Sequence, residues 1–283
     1  MKNTVLLPFQ KQAIQDLISQ YPSQPKIAER FLAAFFKAHK KLGGRDRKLI
    51  ASLFYTWIKN MLFIDALELN DSESLLSLLG QLARKQSEEK KAFLEEIANQ
   101  HGIQDWAIWY SMPTWIAHKL EDYYPEVFQE ISFSFLEEGN TFLRFNESKL
   151  DGKQKEQIIS NEELQINKHP NGIGFISSAR NLVRSEAFQQ GLFEIQDYGS
   201  QQIGLFTKVK AGEQVIDACC GAGGKALQMA DMMQDTGKIW CLDIRMKALE
   251  EASNRADRAG FECLEFYEIP KNPEEVDFPF IAD

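Results

Sequence analysis

Through the first 110 residues, apolar positions recur at three- and four-residue steps. In "KIAERFLAAFFKAHKKL" the residues Ile27, Phe31, Ala34, Phe35 and Ala38 fall on one face, the spacing of an amphipathic helix. The same reading predicts helices over 9–20, 25–41, 46–60, 73–85, 88–100 and 113–137. Pro25 suits a helix start and "LGG" at 42–44 a stop. "DSESLLSLLGQLARK" opens on an N-cap at Asp71 or Ser72. Near residue 140 the texture changes. "TFLRFN" is strand-like, "SKLDGKQKEQIIS" helical, and "LQINKHPNGIGFIS" reads as two short strands about the turn His169-Pro170-Asn171-Gly172. From 214 onward the pattern alternates: strand 214–218, helix 224–234, strand 238–243, helix 246–259, strand 263–267. Such alternation implies a parallel sheet with crossover helices, and "QVIDA" and "KIWCLDI" suit strands buried on both faces.

Three domains follow: a helical one over 1–110, linker helices with a small α+β unit over 111–195, and a partial Rossmann-like α/β domain over 196–283. No run of about eighteen apolar residues is present, so no membrane span is expected. The start "MKNTVLLPFQKQ" carries too short an apolar stretch for a signal peptide. The four cysteines, Cys219, Cys220, Cys241 and Cys263, form no C-x-x-C pair. Neither a zinc site nor a disulfide framework is indicated, and a cytoplasmic protein is expected. The net charge of −9 conceals an asymmetry: residues 1–60 hold eleven Lys or Arg against Asp16, Glu29 and Asp46, which leaves the remainder strongly acidic. The basic start fits either a phosphate-binding surface or a solvated helix face.

The chemistry concentrates in "VIDACCGAGGKALQMADMMQDTGKIWCLDI". Gly221 and Gly223-Gly224 stand at the carboxyl end of the first parallel strand, where such sheets bind ligands. Glycine there permits a tight turn and close approach of backbone N–H groups, and the following helix adds its positive dipole end. Asp243 ends the next strand, twenty residues after Gly223, where a carboxylate is placed to accept from two ribose hydroxyls. The phosphate-wrapping pattern G-x-x-x-x-G-K-[ST] fails at Cys219 and Ala226, and the dinucleotide pattern G-x-G-x-x-G fails at Ala226. A ribose-holding turn without phosphate-wrapping glycines suits S-adenosylmethionine, while an ordinary strand-to-helix turn satisfies the same spacing. Lys225 in the helix's first turn opposes the dipole, and calls for free solvation or an anionic neighbour. Cys219 and Cys220 lie in this loop with no histidine near them in sequence to act as a base.

"DACCGAGGKA" resembles the D-x-C-A-A-P-G-G-K-T loop of the RsmB-type (Sun/Fmu) RNA cytosine-5 methyltransferases. "SEAFQQGLFEIQDYGSQQIG" is similar to the segment preceding that loop, through Gly191, Phe193, Gln196, Asp197, Ser200 and Gln201. "YSMPTWIAHKL" resembles the family's approach to its RNA-binding subdomain, "LRFN" its L-R-V-N strand, and "LGGRDRKLIASLFYTWIKN" a helix of its NusB-like domain. The resemblance implies an all-α NusB-like domain, an α+β RNA-binding unit and a methyltransferase domain, with ribosomal RNA as partner and no metal. It implies that Cys219, Cys220, Gly221, Ala222, Gly223, Gly224 and Lys225 line the cofactor and that Asp243 holds its ribose. Glu268 stands nearest the family's third acidic contact. Lys37, Lys40, Lys41, Arg45, Arg47, Lys48 and Arg144 form the expected RNA-contact set.

In that family a cysteine thiolate adds to carbon 6 of cytosine, and the activated carbon 5 then attacks the sulfonium methyl. "FPFIAD" closes this chain before the family's D-A-P-C-S-G and T-C segments. Neither family cysteine is therefore present, and the expectation is a fragment that does not methylate alone. A non-catalytic RNA-binding derivative is the alternative. A protein or small-molecule methyltransferase fits the basic start and middle unit less well.

Overall fold

The computed structural model describes residues 6–21, 27–69, 71–85, 87–137, 139–161, 166–168, 174–176, 182–272 and 282. The chain divides into two compact units, residues 1–138 and 139–283.

The first unit is helical: α1 (Pro8–Gln20), α2 (Ala28–Ala38), α3 (Gly44–Lys59), α4 (Met61–Ala66), α5 (Ser72–Leu82), α6 (Ser87–Gln100), α7 (Trp106–Trp109), α8 (Thr114–Tyr123) and α9 (Phe128–Ser134). Its core is built as the periodicity requires. Ile50, Leu53 and Phe54 of α3 pack with Ile14, Leu17, Leu79, Leu82 and Leu94. Tyr21 meets Phe31, Phe54 and Trp57 edge-on, at ring separations of 5.1, 5.4 and 5.8 Å, a favoured aromatic arrangement. Asp71 proves to be the α5 cap, accepting from the Ser74 N–H at 2.7 Å. The helix expected over 113–137 is two. Pro125 disfavours helical geometry in the residue before it, and Tyr124 leaves the helix with φ −136° and ψ 55°. The start expected at Pro25 and the turn at 169–172 lie outside the described residues.

The second unit begins with β1 (Thr141–Phe145), α10 (Gly152–Asn161), β2 (Ile166–Lys168), β3 (Gly174–Ile176), α11 (Glu186–Gln189), β4 (Phe193–Ile195) and α12 (Tyr198–Thr207). It continues with β5 (Gln214–Asp217), α13 (Gly224–Met232), β6 (Lys238–Asp243), α14 (Met246–Ala259) and β7 (Leu264–Glu268). One sheet has the order β2-β3-β1-β4 with antiparallel pairings. The other is parallel, in the order β5-β6-β7. β6 is buried almost throughout, as a central parallel strand should be. β5 is only half-buried, against expectation, because it is an edge strand among the described residues.

The two sheets meet along a polar seam. Asp231 of α13 accepts from the N–H groups of Glu147 (2.9 Å) and Ser148 (2.8 Å), from the Ser148 hydroxyl (2.6 Å) and from Arg144 Nη1 (3.5 Å). Arg144 Nε donates to Gln196 Oε1 at 2.8 Å, and Gln196 Nε2 donates to Gln228 Oε1 at 2.9 Å. Gln228 Nε2 in turn donates to the Gln201 carbonyl at 2.9 Å. Gly191, at φ +67°, lies so near α14 that a Cβ there would stand 2.2 Å from the Arg258 carbonyl oxygen. Glu194, 2% exposed, pairs with Arg255 and Arg258 of α14 at 2.9 and 2.5 Å. Gly191, Phe193, Gln196, Asp197, Ser200 and Gln201 thus have packing, capping and bonding duties along this seam.

Candidate cofactor-binding site

The loop between β5 and α13 closes on the end of β6. Cys220 N–H donates to the Leu242 carbonyl at 2.8 Å, which extends the ladder by one rung, and Gly221 N–H donates to Asp243 Oδ2 at 2.9 Å. Gly221 and Gly223 take φ +57° and +80°, the left-handed region in which side chains are strained. A Cβ on Gly223 would also press to 3.0 Å from the Ala252 Cβ. The structure therefore brings Gly221, Ala222, Gly223, Gly224, Lys225 and Asp243 together, and the sequence places the free N–H groups of the α13 start on the same loop.

Asp243 is buried, and its carboxyl is held below the ordinary carboxylate range chiefly by Arg245. Its Oδ1 accepts from the Arg245 backbone N–H and Nε, both at 3.0 Å, while Oδ2 accepts from Gly221 N–H and from Arg245 Nη2 at 3.2 Å. A carboxylate offers about four acceptor positions, so all are filled here. A ribose diol can bond Asp243 only by displacing the Arg245 side chain, which is 66% exposed. The sequence reading did not single out Arg245.

It also passed over Asp217, which ends β5. One carboxylate oxygen of Asp217 is buried without a partner. Burial pushes this carboxyl above its usual range, Asp243 adds to the rise, and the Cys219 N–H and the Lys225 ammonium oppose it. Asp217 is thus an anionic neighbour for Lys225. The visible clue was the acid opening "DACC". Glu268 pairs with Asp243 across the β6–β7 ladder, its side chain exposed.

Cys219 is exposed, whereas Cys220, Cys241 and Cys263 are buried. The Cys241 thiol is pushed far up by its hydrogen bond with Cys220 and by burial. Cys263 is pushed up to about 12 by burial and by Asp235. The thiolate is the nucleophile, and burial disfavours that form of Cys241 and Cys263. Among the described residues no cluster of three or more His, Cys, Asp or Glu is arranged to hold a metal, and no helix is long and apolar enough to cross a membrane.

In the helical unit Lys37, Lys40, Lys41, Arg45 and Lys48 are exposed near the end of α2 and the start of α3. Arg47 is half-buried, with Nε donating to the Leu42 carbonyl at 2.9 Å and the guanidinium 5.6 Å from the Phe36 ring. Arg144 corrects the expected RNA-contact set. It is buried in the seam and bonded to Gln196, Asn146 and Asp231.

Residues 209–272, which hold the parallel β-α-β-α-β arrangement, match the family model described as a methyltransferase domain. The chain is similar to ribosomal RNA small subunit methyltransferase B of Vibrio vulnificus, with 24% identity over 203 residues that cover 71% of this chain and 46% of the relative. It is also similar to the probable enzyme of that name in Bacillus subtilis, with 26% identity over 156 residues, 54% of this chain and 35% of the relative. The RsmB-type resemblance read from the loop is thus found along the chain, which spans less than half the length of these curated relatives. The solved structure of PH0851 shares the fold over 97% of this chain and 72% of its own, with TM-score 0.64 and 15% identity. A methyltransferase homolog from Pyrococcus horikoshii shares it over 59% of this chain and 55% of its own, with TM-score 0.54 and 19% identity.

Proposed function

We propose that the chain serves S-adenosylmethionine-dependent cytosine-5 methylation of ribosomal RNA. The cofactor would lie across the 219–225 loop, with its ribose on Asp243 and Glu268 beside it. The observation that carries the reading is the Gly221–Asp243 hydrogen bond, which joins the turn and the acid into one mouth. Asp217 adds a second carboxylate there, and S-adenosylmethionine brings a sulfonium and an ammonium to match. The helical unit, read as NusB-like, would offer Lys37, Lys40, Lys41, Arg45 and Lys48 to RNA phosphates.

The chain's own residues would bind and orient the cofactor; Cys241 and Cys263 are buried, and Cys219 and Cys220 lie in the cofactor loop itself. The 283-residue chain is accordingly expected to hold cofactor and RNA without methylating. Calorimetric titration with S-adenosylmethionine tests the first half. Asp243→Ala should weaken binding at least tenfold, because hydrogen bonds to a charged group contribute about 1.5–3 kcal/mol. Equal affinity in the two proteins removes Asp243 from the site. Incubation with labelled cofactor and unmodified ribosomal RNA tests the second half, and cysteine-dependent label at carbon 5 of cytosine would overturn it.

A further inference from the structure

The seam and the glycine loop share one side chain. Arg255 lies on α14 three residues after Ala252, hence on the same face of the helix. Ala252 is the residue against which Gly223 packs. The Arg255 guanidinium donates to Glu194 Oε2 from Nε at 3.3 Å and from Nη2 at 2.9 Å. Its third nitrogen, Nη1, donates to the Ala222 carbonyl oxygen at 2.5 Å. One planar group therefore spans β4 of the antiparallel sheet and the middle of the loop. Arg258 holds the other Glu194 oxygen at 2.5 Å and lies over the Phe188 ring at 4.0 Å, which leaves Glu194 little freedom to turn.

We propose that Arg255, anchored by Glu194, is a positioning residue for the cofactor loop. The peptide whose carbonyl Arg255 holds is the one whose N–H, on Gly223, donates to the Cys220 carbonyl at 3.0 Å. Fixing that carbonyl fixes the plane of the 222–223 peptide, and with it the approach to the two left-handed glycines on either side. Gly221 is held independently through Asp243, so the loop is pinned at one end by β6 and at its middle by β4. A flexible glycine-rich turn otherwise spends conformational entropy on each binding event. The bracket removes that freedom before the ligand arrives. A lysine cannot replace it, because a single ammonium lacks the planar fork that reaches both partners at once.

The role rests on the cofactor reading above, yet its first test needs no cofactor. Hydrogen exchange is followed at the amides of Gly221 to Lys225 in the whole chain and in Arg255→Ala, Arg255→Lys and Glu194→Gln. Arg255→Ala should speed exchange in the loop by about tenfold, with Arg255→Lys little better and Glu194→Gln intermediate, while β6 and the centre of α14 stay unchanged. Unaltered loop exchange overturns the proposal, and so does equal acceleration in β6 and α14, which marks general loosening. Titration with S-adenosylmethionine is the second arm. Where the parent chain binds, Arg255→Ala should bind about tenfold more weakly with unchanged stoichiometry, and equal affinity overturns the proposal. Where the parent chain does not bind, the cofactor reading fails and the exchange result alone decides the role of Arg255.

Discussion

Asp231→Ala is the most direct probe of how the second unit holds together. The carboxylate is 6% exposed and accepts three short hydrogen bonds from the 147–148 turn and a longer one from Arg144. Alanine leaves two backbone N–H groups and a hydroxyl without their acceptor, and strands the Arg144 cation in a buried setting. Burial already lowers the tendency of Arg144 to hold its charge, and Asp231 is the strongest opposing influence. Breaking a buried ion pair from one side costs about 3–5 kcal/mol. For a unit of this size each kcal/mol moves the melting midpoint by about 2–4 °C, so a fall of roughly 6–20 °C is expected. Thermal unfolding followed at Trp240, the tryptophan of β6, in a background where Trp57, Trp106, Trp109 and Trp115 are phenylalanine, reports on the second unit. Glu250→Ala on the exposed side of α14 serves as control and should stay within about 0.5 kcal/mol. A loss below about 1 kcal/mol for Asp231→Ala would refute the seam as a source of stability.

Asp217→Asn should raise the melting midpoint at pH 7. A carboxyl whose value is raised by folding costs stability when ionised, so the gain is full above the folded value and vanishes below the unfolded value, near 3.8; a midpoint unchanged at pH 7 contradicts the burial argument. Arg245→Ala should strengthen S-adenosylmethionine binding a few-fold by freeing two acceptor positions on Asp243, since a pair whose cation is largely exposed is worth about 0–1 kcal/mol, and weaker binding in calorimetry would show that Arg245 contacts the ligand instead. RNA affinity should fall with salt by about 0.7–0.9 log–log units per phosphate contact. Replacing Arg45 and Lys48 should lower that slope by nearly two contacts, while an unchanged slope makes the cluster a solvated face.

The parallel part of the fold was the most legible. The bounds of β6 and α14 match the expected 238–243 and 246–259, because a continuous apolar strand and a helix with one apolar stripe leave little choice. The Tyr124–Pro125 break was written in the sequence but outweighed there by periodicity on both sides. Arg144 shows the opposite case. In "LRFN" it alternates with Leu143 and Phe145 like any outward residue, and only the docking of α13 onto β1 turns it inward. Asp217 and Arg245 were hidden for a similar reason: which acceptor lacks a donor, and which is saturated, is a property of assembled strands. The left-handed turn at Gly221 and Gly223 and the strand-end place of Asp243 were legible because positive φ and a strand-end acid leave residue-type signatures.

The seam also decides where this chain tolerates being cut. Sequence texture invites a boundary near residue 195, between an α+β piece and a nucleoside-binding piece. A cut there would part β4 from α12, strand Glu194 away from two arginines, and take from Asp231 its bonds to Arg144 and the 147–148 turn. Each excised half would carry buried charges whose counter-ions lie on the other half. A shortened expression product should therefore begin ahead of β1 at residue 139 rather than at 196. Protease nicks that release soluble, separately folded halves at 195 are not expected from a protein wired in this way.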